Sequence, residues 1–164
     1  MQNVSDELLQ NGEPSTKQIK DHPILNLWFK ETMRIQNPTP GIFSRIAKQD
    51  TSIGDIIIRK GDAVSITFSG LNFDEKVYAK PNEFQLERFA KETEVGTGRY
   101  QYCPFSIGKR ICMGRHMAEL MVKLFVVYFL HMYEFHKPED TVYFEGFSIV
   151  NHITNPFIMA KLRK

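Results

Sequence analysis

Cys112 is the residue of this chain best placed to do chemistry. It lies in Phe105-Ser106-Ile107-Gly108-Lys109-Arg110-Ile111-Cys112-Met113-Gly114, a glycine-punctuated loop that runs into a long apolar stretch. A thiol just before a helix faces unpaired backbone N–H groups and the positive end of the helix dipole. Both favour the thiolate, which is the metal-binding form. Lys109 and Arg110 act in the same direction. Gly108 permits a tight turn, Arg110 carries the fork that pairs with a carboxylate, and Gly114 lets the helix start approach closely. A loop that presents one anionic sulfur suits haem iron, whose propionates Arg110 could hold. Other readings stay open on these residues alone. Free cysteines are often buried structural thiols. A zinc site would want more ligands than Cys103, Cys112 and His116 offer at this spacing. A Cys103–Cys112 disulfide lacks a secretory context.

A second group with chemical content is Glu31 and Arg34. The pattern predicts a helix from Pro23, which suits a first helical position, to Gln36, with Asn37-Pro38 as its stop. On its wheel Ile24, Leu27, Trp28 and Ile35 share a face, Glu31 falls within that stripe and Arg34 lies at its edge. A carboxylate on an apolar stripe needs a partner. Alone, a Glu and an Arg three apart more often form a solvated pair.

The elements that must position these groups follow from pattern. Ser15 is placed to cap a short helix through Lys20. Asp55 to Arg59 and Ala63 to Phe68 flank Lys60-Gly61 as a hairpin. Residues 69–104 read as an irregular, packed and functional segment. Met113 to Tyr133 reads as a helix on which Met117, Leu120, Met121, Leu124, Phe125 and Tyr128 recur, apolar nearly all round in its later half and therefore central in the core. Thr141 to Leu162 has strand character, with turns at Glu145-Gly146 and Asn155-Pro156.

With these elements in order, the string from Phe105 to Gly114 resembles the haem-binding signature F-x-x-G-x-R-x-C-x-G of the cytochrome P-450 family at all five fixed positions. Chance agreement is roughly one in ten thousand or rarer at average residue usage, so the match is specific. Glu31-Thr32-Met33-Arg34 resembles the family's E-x-x-R motif. Phe84-Gln85-Leu86-Glu87-Arg88-Phe89 resembles its F-x-P-E-R-F segment, with Leu86 in place of the usual proline. The resemblance implies a structural triad of Glu31, Arg34 and Arg88. It also implies a propionate-binding role for Arg45, at the end of Pro40-Gly41-Ile42-Phe43-Ser44-Arg45, beside the bland reading of an edge-strand charge. Asn72-Phe73 stands where many members carry a His-Arg or similar pair near the haem edge.

The fold so implied is mixed α/β, mainly α: the C-terminal portion of the cytochrome P-450 fold, built from a motif helix, a small β-sheet, an irregular meander, the Cys-ligand loop, a long core helix and a β-hairpin. The resemblance implies haem as cofactor, Cys112 as the metal ligand, and Arg45, Phe105, Gly108, Arg110, Cys112 and Gly114 as the cofactor-binding residues. Phe105 would shield the sulfur, and Pro38 to Ser44 and Phe147 to Ile153 would contact substrate. No catalytic residue is expected here, because no A-G-x-x-T-like string of the family's central helix occurs. Residues 1–164 are expected to form a partial haem-binding domain, the N-terminal and central parts lying outside it.

The parent activity implied is insertion of one oxygen atom from dioxygen into a lipophilic small-molecule substrate, with a flavoprotein reductase or ferredoxin-type electron donor meeting Lys109 and Arg115 of the basic group that brackets the thiol loop, Arg110 being taken by a propionate. Two rivals stand beside it: a peroxide isomerase or dehydratase on the same fold, and a non-enzymatic fragment with weak or no haem binding. The isolated chain is expected to show no turnover. The net charge of +2 argues against nucleic-acid binding driven by bulk charge. No stretch reads as a membrane span or a signal peptide, since Glu119, Lys123 and His131 interrupt the longest apolar run. The resemblance leaves the compartment open; a parent held in the endoplasmic reticulum membrane by an anchor outside this chain is compatible with it.

Overall fold

Pro23 opens the helix that organises the molecule. Its missing N–H is an orphan at a helix start in any case, and its fixed φ suits the first turn. In the computed structural model, which describes residues 1–39, 41, 44–90, 100–138, 144–147, 150–154 and 158–163, this helix is α3 (Pro23–Ile35). Before it come α1 (Gln2–Leu9) and α2 (Thr16–Asp21). Ser15 caps α2 in a reciprocal capping box with Gln18. After α3 come the short strands β1 (Arg45–Ile46), β2 (Thr51–Ile53), β3 (Ile56–Ile58) and β4 (Ala63–Val64), then α4 (Phe68–Asn72). One 3-10 helix, Leu86–Phe89, and a second, Gly108–Arg110, precede the long helix α5 (Arg115–Met132). The strands β5 (Tyr133–His136), β6 (Phe144–Phe147), β7 (Asn151–Thr154) and β8 (Met159–Leu162) complete the chain.

Among the described residues the strands form four two-stranded antiparallel ladders: β1 with β4, β2 with β3, β5 with β8, and β6 with β7. The hairpin expected across Lys60-Gly61 is not the one that forms. β3 turns back on β2 through Gly54-Asp55, with Ile53 opposite Ile56, and Gly54 supplies the left-handed residue at φ +57°. The turn at Lys60-Gly61 instead hands the chain to β4, which pairs with β1. Phe68, expected at a strand end, begins α4. Glu145 and Gly146, expected in a turn, lie inside β6 opposite Ile153 and His152. Asn155-Pro156 lies outside the described residues.

A small core of Val4, Ile19, Leu25 and Val127 joins the first three helices to α5, with Leu8, Leu9, Leu120 and Leu124 packed around it. Two wheel assignments are corrected here. On α3 the buried residues are Leu25, Phe29, Glu31 and Arg34, while Ile24 is exposed. The helix is covered on two sides by different partners, so no single apolar stripe describes it. On α5 the described structure buries Lys123 and Val127. Part of the expected core stripe is bare: Met117, Met121 and Phe125 are 67%, 56% and 58% exposed, while Leu120 and Leu124 pack against the core. These three recur every fourth residue and so form one continuous face, with Met113 exposed just ahead of the helix.

Candidate functional site

The loop to Cys112 is built by short backbone bonds and two left-handed residues. The Ser106 N–H donates to the Cys103 carbonyl at 2.9 Å, and the Ile111 N–H to the Gly108 carbonyl at 3.2 Å. Ser106 has φ +64° and Gly108 φ +73°. The first is uncommon for a residue with a Cβ, and glycine carries the second without strain. The Cys112 N–H then donates to the Phe105 carbonyl at 3.0 Å, which closes the loop on itself. Gly114 is the N-cap of α5. A Cβ there would meet Cys112 Sγ at an ordinary 3.9 Å. Both cysteines are free thiols, Cys103 buried and Cys112 exposed. Burial pushes the Cys103 thiol above its ordinary pKa.

Cys112 lines a cavity of about 410 Å³ together with Phe105, Ser106 and Arg110 from its own loop, Met33 and Asn37 from α3 and its end, Pro38, Thr39 and Gly41 from the segment after it, and Arg45, Phe68 and Pro104. Arg45 and Arg110 also line a neighbouring cavity of about 460 Å³, with Lys109, Cys103 and Tyr100. One thiol, two guanidiniums and apolar walls therefore share one space. Pro40, Ile42 and Phe43 of the expected substrate segment lie outside the described residues, as do Ser148 and Ile149 of the second. The described ends of the two segments meet, because the Asn151 N–H donates to the Pro38 carbonyl at 2.6 Å.

Aromatic packing backs the loop. The Phe105 ring stacks on Phe29 of α3, centroids 6.3 Å apart. Arg115 places its guanidinium 6.0 Å from the Phe105 centroid, and Lys123 places its ammonium 5.6 Å from that of Phe29. Lys123 is wholly buried, and Glu119 at 2.7 Å and Asn26 hold its charge. The sequence reading missed this lysine. Its signal was a Glu and a Lys four apart on a helix otherwise apolar at those positions.

Glu31, Arg34 and Arg88 come together in a buried cluster. Arg34 grips Glu31 bidentately, Nε to Oε2 at 2.8 Å and an Nη2 hydrogen to Oε1 at 2.9 Å. Arg88 Nε donates to Oε1 at 3.2 Å, and the Gln85 N–H donates to the same oxygen at 3.0 Å. Burial raises the Glu31 pKa, but the hydrogen bonds of Arg34 and Gln85 and the charge of Arg34 outweigh it, so the carboxyl sits below its ordinary value. The spare arginine hydrogens go to the carbonyls of Asn72, Ala79, Lys80 and Glu83. Thus the cluster ties α3 to the meander.

Tyr78 lies under both guanidiniums, and burial pushes its phenol up to about 12. Burial also raises the Tyr102 phenol. Asn72-Phe73 belongs to this cluster and not to the Cys112 cavity. The Asn72 carbonyl accepts from Arg34, and the Phe73 ring faces the Arg34 guanidinium.

The family model described as Cytochrome P450 matches residues 1–157. The chain belongs to the cytochrome P450 family. Among curated relatives, cytochrome P450 76C1 of Arabidopsis thaliana is 30% identical over 161 residues, which is 94% of this chain and 31% of that protein. Cytochrome P450 3A41 of Mus musculus is 32% identical over 142 residues, 86% of this chain and 28% of that protein. The steroid 17-alpha-hydroxylase/17,20 lyase of Gallus gallus is 31% identical over 147 residues, 87% of this chain and 29% of that protein.

Among solved structures, the cytochrome P450DA heme domain superposes with a TM-score of 0.88 at 24% identity, covering 99% of this chain and 36% of that one. The chain therefore spans about a third or less of the length of the relatives it matches. The cofactor of the P450 family is haem, and the described cavity suits it chemically: a soft sulfur donor, guanidiniums for carboxylates and apolar walls. No helix among the described residues is long and apolar enough to cross a membrane.

Proposed function

We propose that residues 1–164 form the thiolate-bearing part of a haem monooxygenase, with Cys112 as the iron ligand. The observation that carries this reading is the exposed Cys112 thiol in one cavity wall with Arg45, Arg110 and Phe105. What haem supplies when bound is reductive dioxygen chemistry, which an electron-rich thiolate ligand favours. The chain does the holding. Arg110 and Arg45 would hold the haem propionates. Gly108 turns the loop so that the Phe105 carbonyl fixes the Cys112 amide. The Phe105 ring, backed by Phe29, would cover the sulfur once haem is bound and so tune it. Gly114 keeps the first turn of α5 free of a side chain beside the sulfur. Glu31, Arg34 and Arg88 hold the meander that leads into the loop.

The substrate is a lipophilic small molecule, in keeping with the apolar residues Met33, Pro38 and Phe68 of the cavity. Exposed Lys109 and Arg115 receive an acidic electron donor of the flavoprotein or ferredoxin type. The bare α5 face of Met117, Met121 and Phe125, with Met113 just ahead of it, is where the rest of the domain packs. By itself the 164-residue chain would give no coupled turnover, because it would not exclude water from the reacting face of bound haem.

The test is a chimera in which these residues replace the corresponding part of a solved family haem domain. Reduced under carbon monoxide, it shows the long-wavelength band of thiolate-ligated haem. Cys112→Ser abolishes the band and Cys103→Ser keeps it. A band that survives Cys112→Ser overturns the reading.

A further inference from the structure

Asn37 is a buried polar residue whose bonds join the two sides of the Cys112 cavity. It is 5% exposed and lines that cavity beside Pro38 and Thr39. Its Oδ1 accepts the Thr39 N–H at 2.9 Å, a local turn that ends α3. That turn needs only an acceptor. The other end of the amide goes elsewhere: Nδ2 donates to the Pro104 carbonyl at 3.3 Å, across 67 residues of chain. The Asn37 backbone carbonyl in turn accepts from Asn151 Nδ2 at 2.9 Å, and the Asn151 N–H donates to the Pro38 carbonyl.

Pro104 stands at the entry to the thiol loop. Its carbonyl shares a rigid peptide plane with the Phe105 nitrogen, and the next carbonyl, that of Phe105, holds the Cys112 amide. Fixing the Pro104 carbonyl therefore fixes the plane from which Cys112 hangs. We propose that Asn37 is a positioning residue for Cys112. Its carboxamide bridges the wall of Asn37, Pro38 and Thr39 to the thiol loop, so that the wall joined to Asn151 and the sulfur move as one unit. The proposal rests on the reading of Cys112 as the working sulfur of the cavity, but its test needs no haem.

Asn37→Asp separates the two bonds. It keeps the acceptor for the Thr39 N–H. When ionised it has no donor for Pro104, and when protonated it regains one. Burial among carbonyl oxygens raises the carboxyl's pKa, so protonation falls within reach of mild acid. Amide protection factors are measured by NMR on the haem-free chain at about pH 7.5 and about pH 5, a range that brackets such a raised carboxyl. At the higher pH, Asn37→Asp lowers protection at Ser106, Ile111 and Cys112 by roughly 3- to 10-fold, the worth of one neutral hydrogen bond. At the lower pH protection returns toward wild type. Asn37→Ala lowers it at both. Interior amides of α3 and α5 keep their protection throughout.

An unchanged loop in Asn37→Asp overturns the proposal. So does a loss that spreads evenly through α3 and α5, or one that acid does not reverse, because each marks a residue that only supports the fold. Failure of the haem reading shows itself separately, as a thiolate band that survives Cys112→Ser.

Discussion

Arg88 reaches back 57 residues to place its Nε 3.2 Å from the Glu31 oxygen that already accepts the Gln85 amide. The carboxylate is thus shared between its own helix, through Arg34, and the meander, through Arg88 and Gln85. Both arginines spend their remaining hydrogens on meander carbonyls. A buried charge so surrounded holds the two segments in one register, because any shift breaks several charged bonds together.

Arg88→Ala leaves Glu31 with one arginine, Arg34, beside the Gln85 amide, and strands the carbonyls of Ala79 and Lys80. Breaking a buried pair in this way costs roughly 3–5 kcal/mol, a large share of the 5–15 kcal/mol typical of a domain. Arg88→Lys keeps the charge, loses the fork and falls between. Urea unfolding measures both. An Arg88→Ala variant within about 1 kcal/mol of the parent would refute this energetic role.

Lys123 makes a different prediction, because its partners are partly exposed and it is not. Lys123→Met fills the same space without the charge and leaves Glu119 within reach of water, at a cost of about 1.5 kcal/mol or less. Glu119→Ala leaves the ammonium buried with Asn26, at a cost of about 3 kcal/mol. The same unfolding measurement ranks the two. The opposite order would show that the ammonium is not held as described.

The pH dependence of the chain ends follows from Asp6. The Arg163 hydrogen bond lowers its carboxyl from the ordinary 3.8 to about 2; burial opposes the shift and His131 assists it. A depressed carboxylate stabilises the fold above its unfolded pKa, and that stabilisation is lost as pH falls through the folded value. The link from α1 to the residue after β8 therefore holds down to about pH 4 and weakens between there and about pH 2. Protection of the Arg163 amide, which donates to the Met132 carbonyl, reports it. It falls across this window in the parent and stays flat in Asp6→Asn. A flat parent profile would contradict the assignment.

What was legible in the sequence was whatever rests on local pattern. The Ser15 cap, the proline start of α3 and the glycine-punctuated run to Cys112 are read from neighbouring residues. Glu31 stands out because a carboxylate among apolar residues demands partners. The misreadings involve distant partners. The Gly54-Asp55 link and the Lys60-Gly61 turn are both good local turns, and only the pairing of β4 with β1 decides between them. Met117, Met121 and Phe125 have core composition, but which face of α5 is covered depends on what lies against it. Within the described residues α1 and α2 cover the Val127 side. Asn37 looked like a helix stop, and its second role depends on Pro104, far along the chain.

Iron K-edge X-ray absorption of the haemin-loaded chimera tests the central claim most directly, because it reads the ligand atom itself. The account predicts one sulfur scatterer in the first coordination shell of the parent and of Cys103→Ser, and none in Cys112→Ser. A first shell of nitrogen and oxygen alone in the parent, or a sulfur that persists in Cys112→Ser, would contradict it.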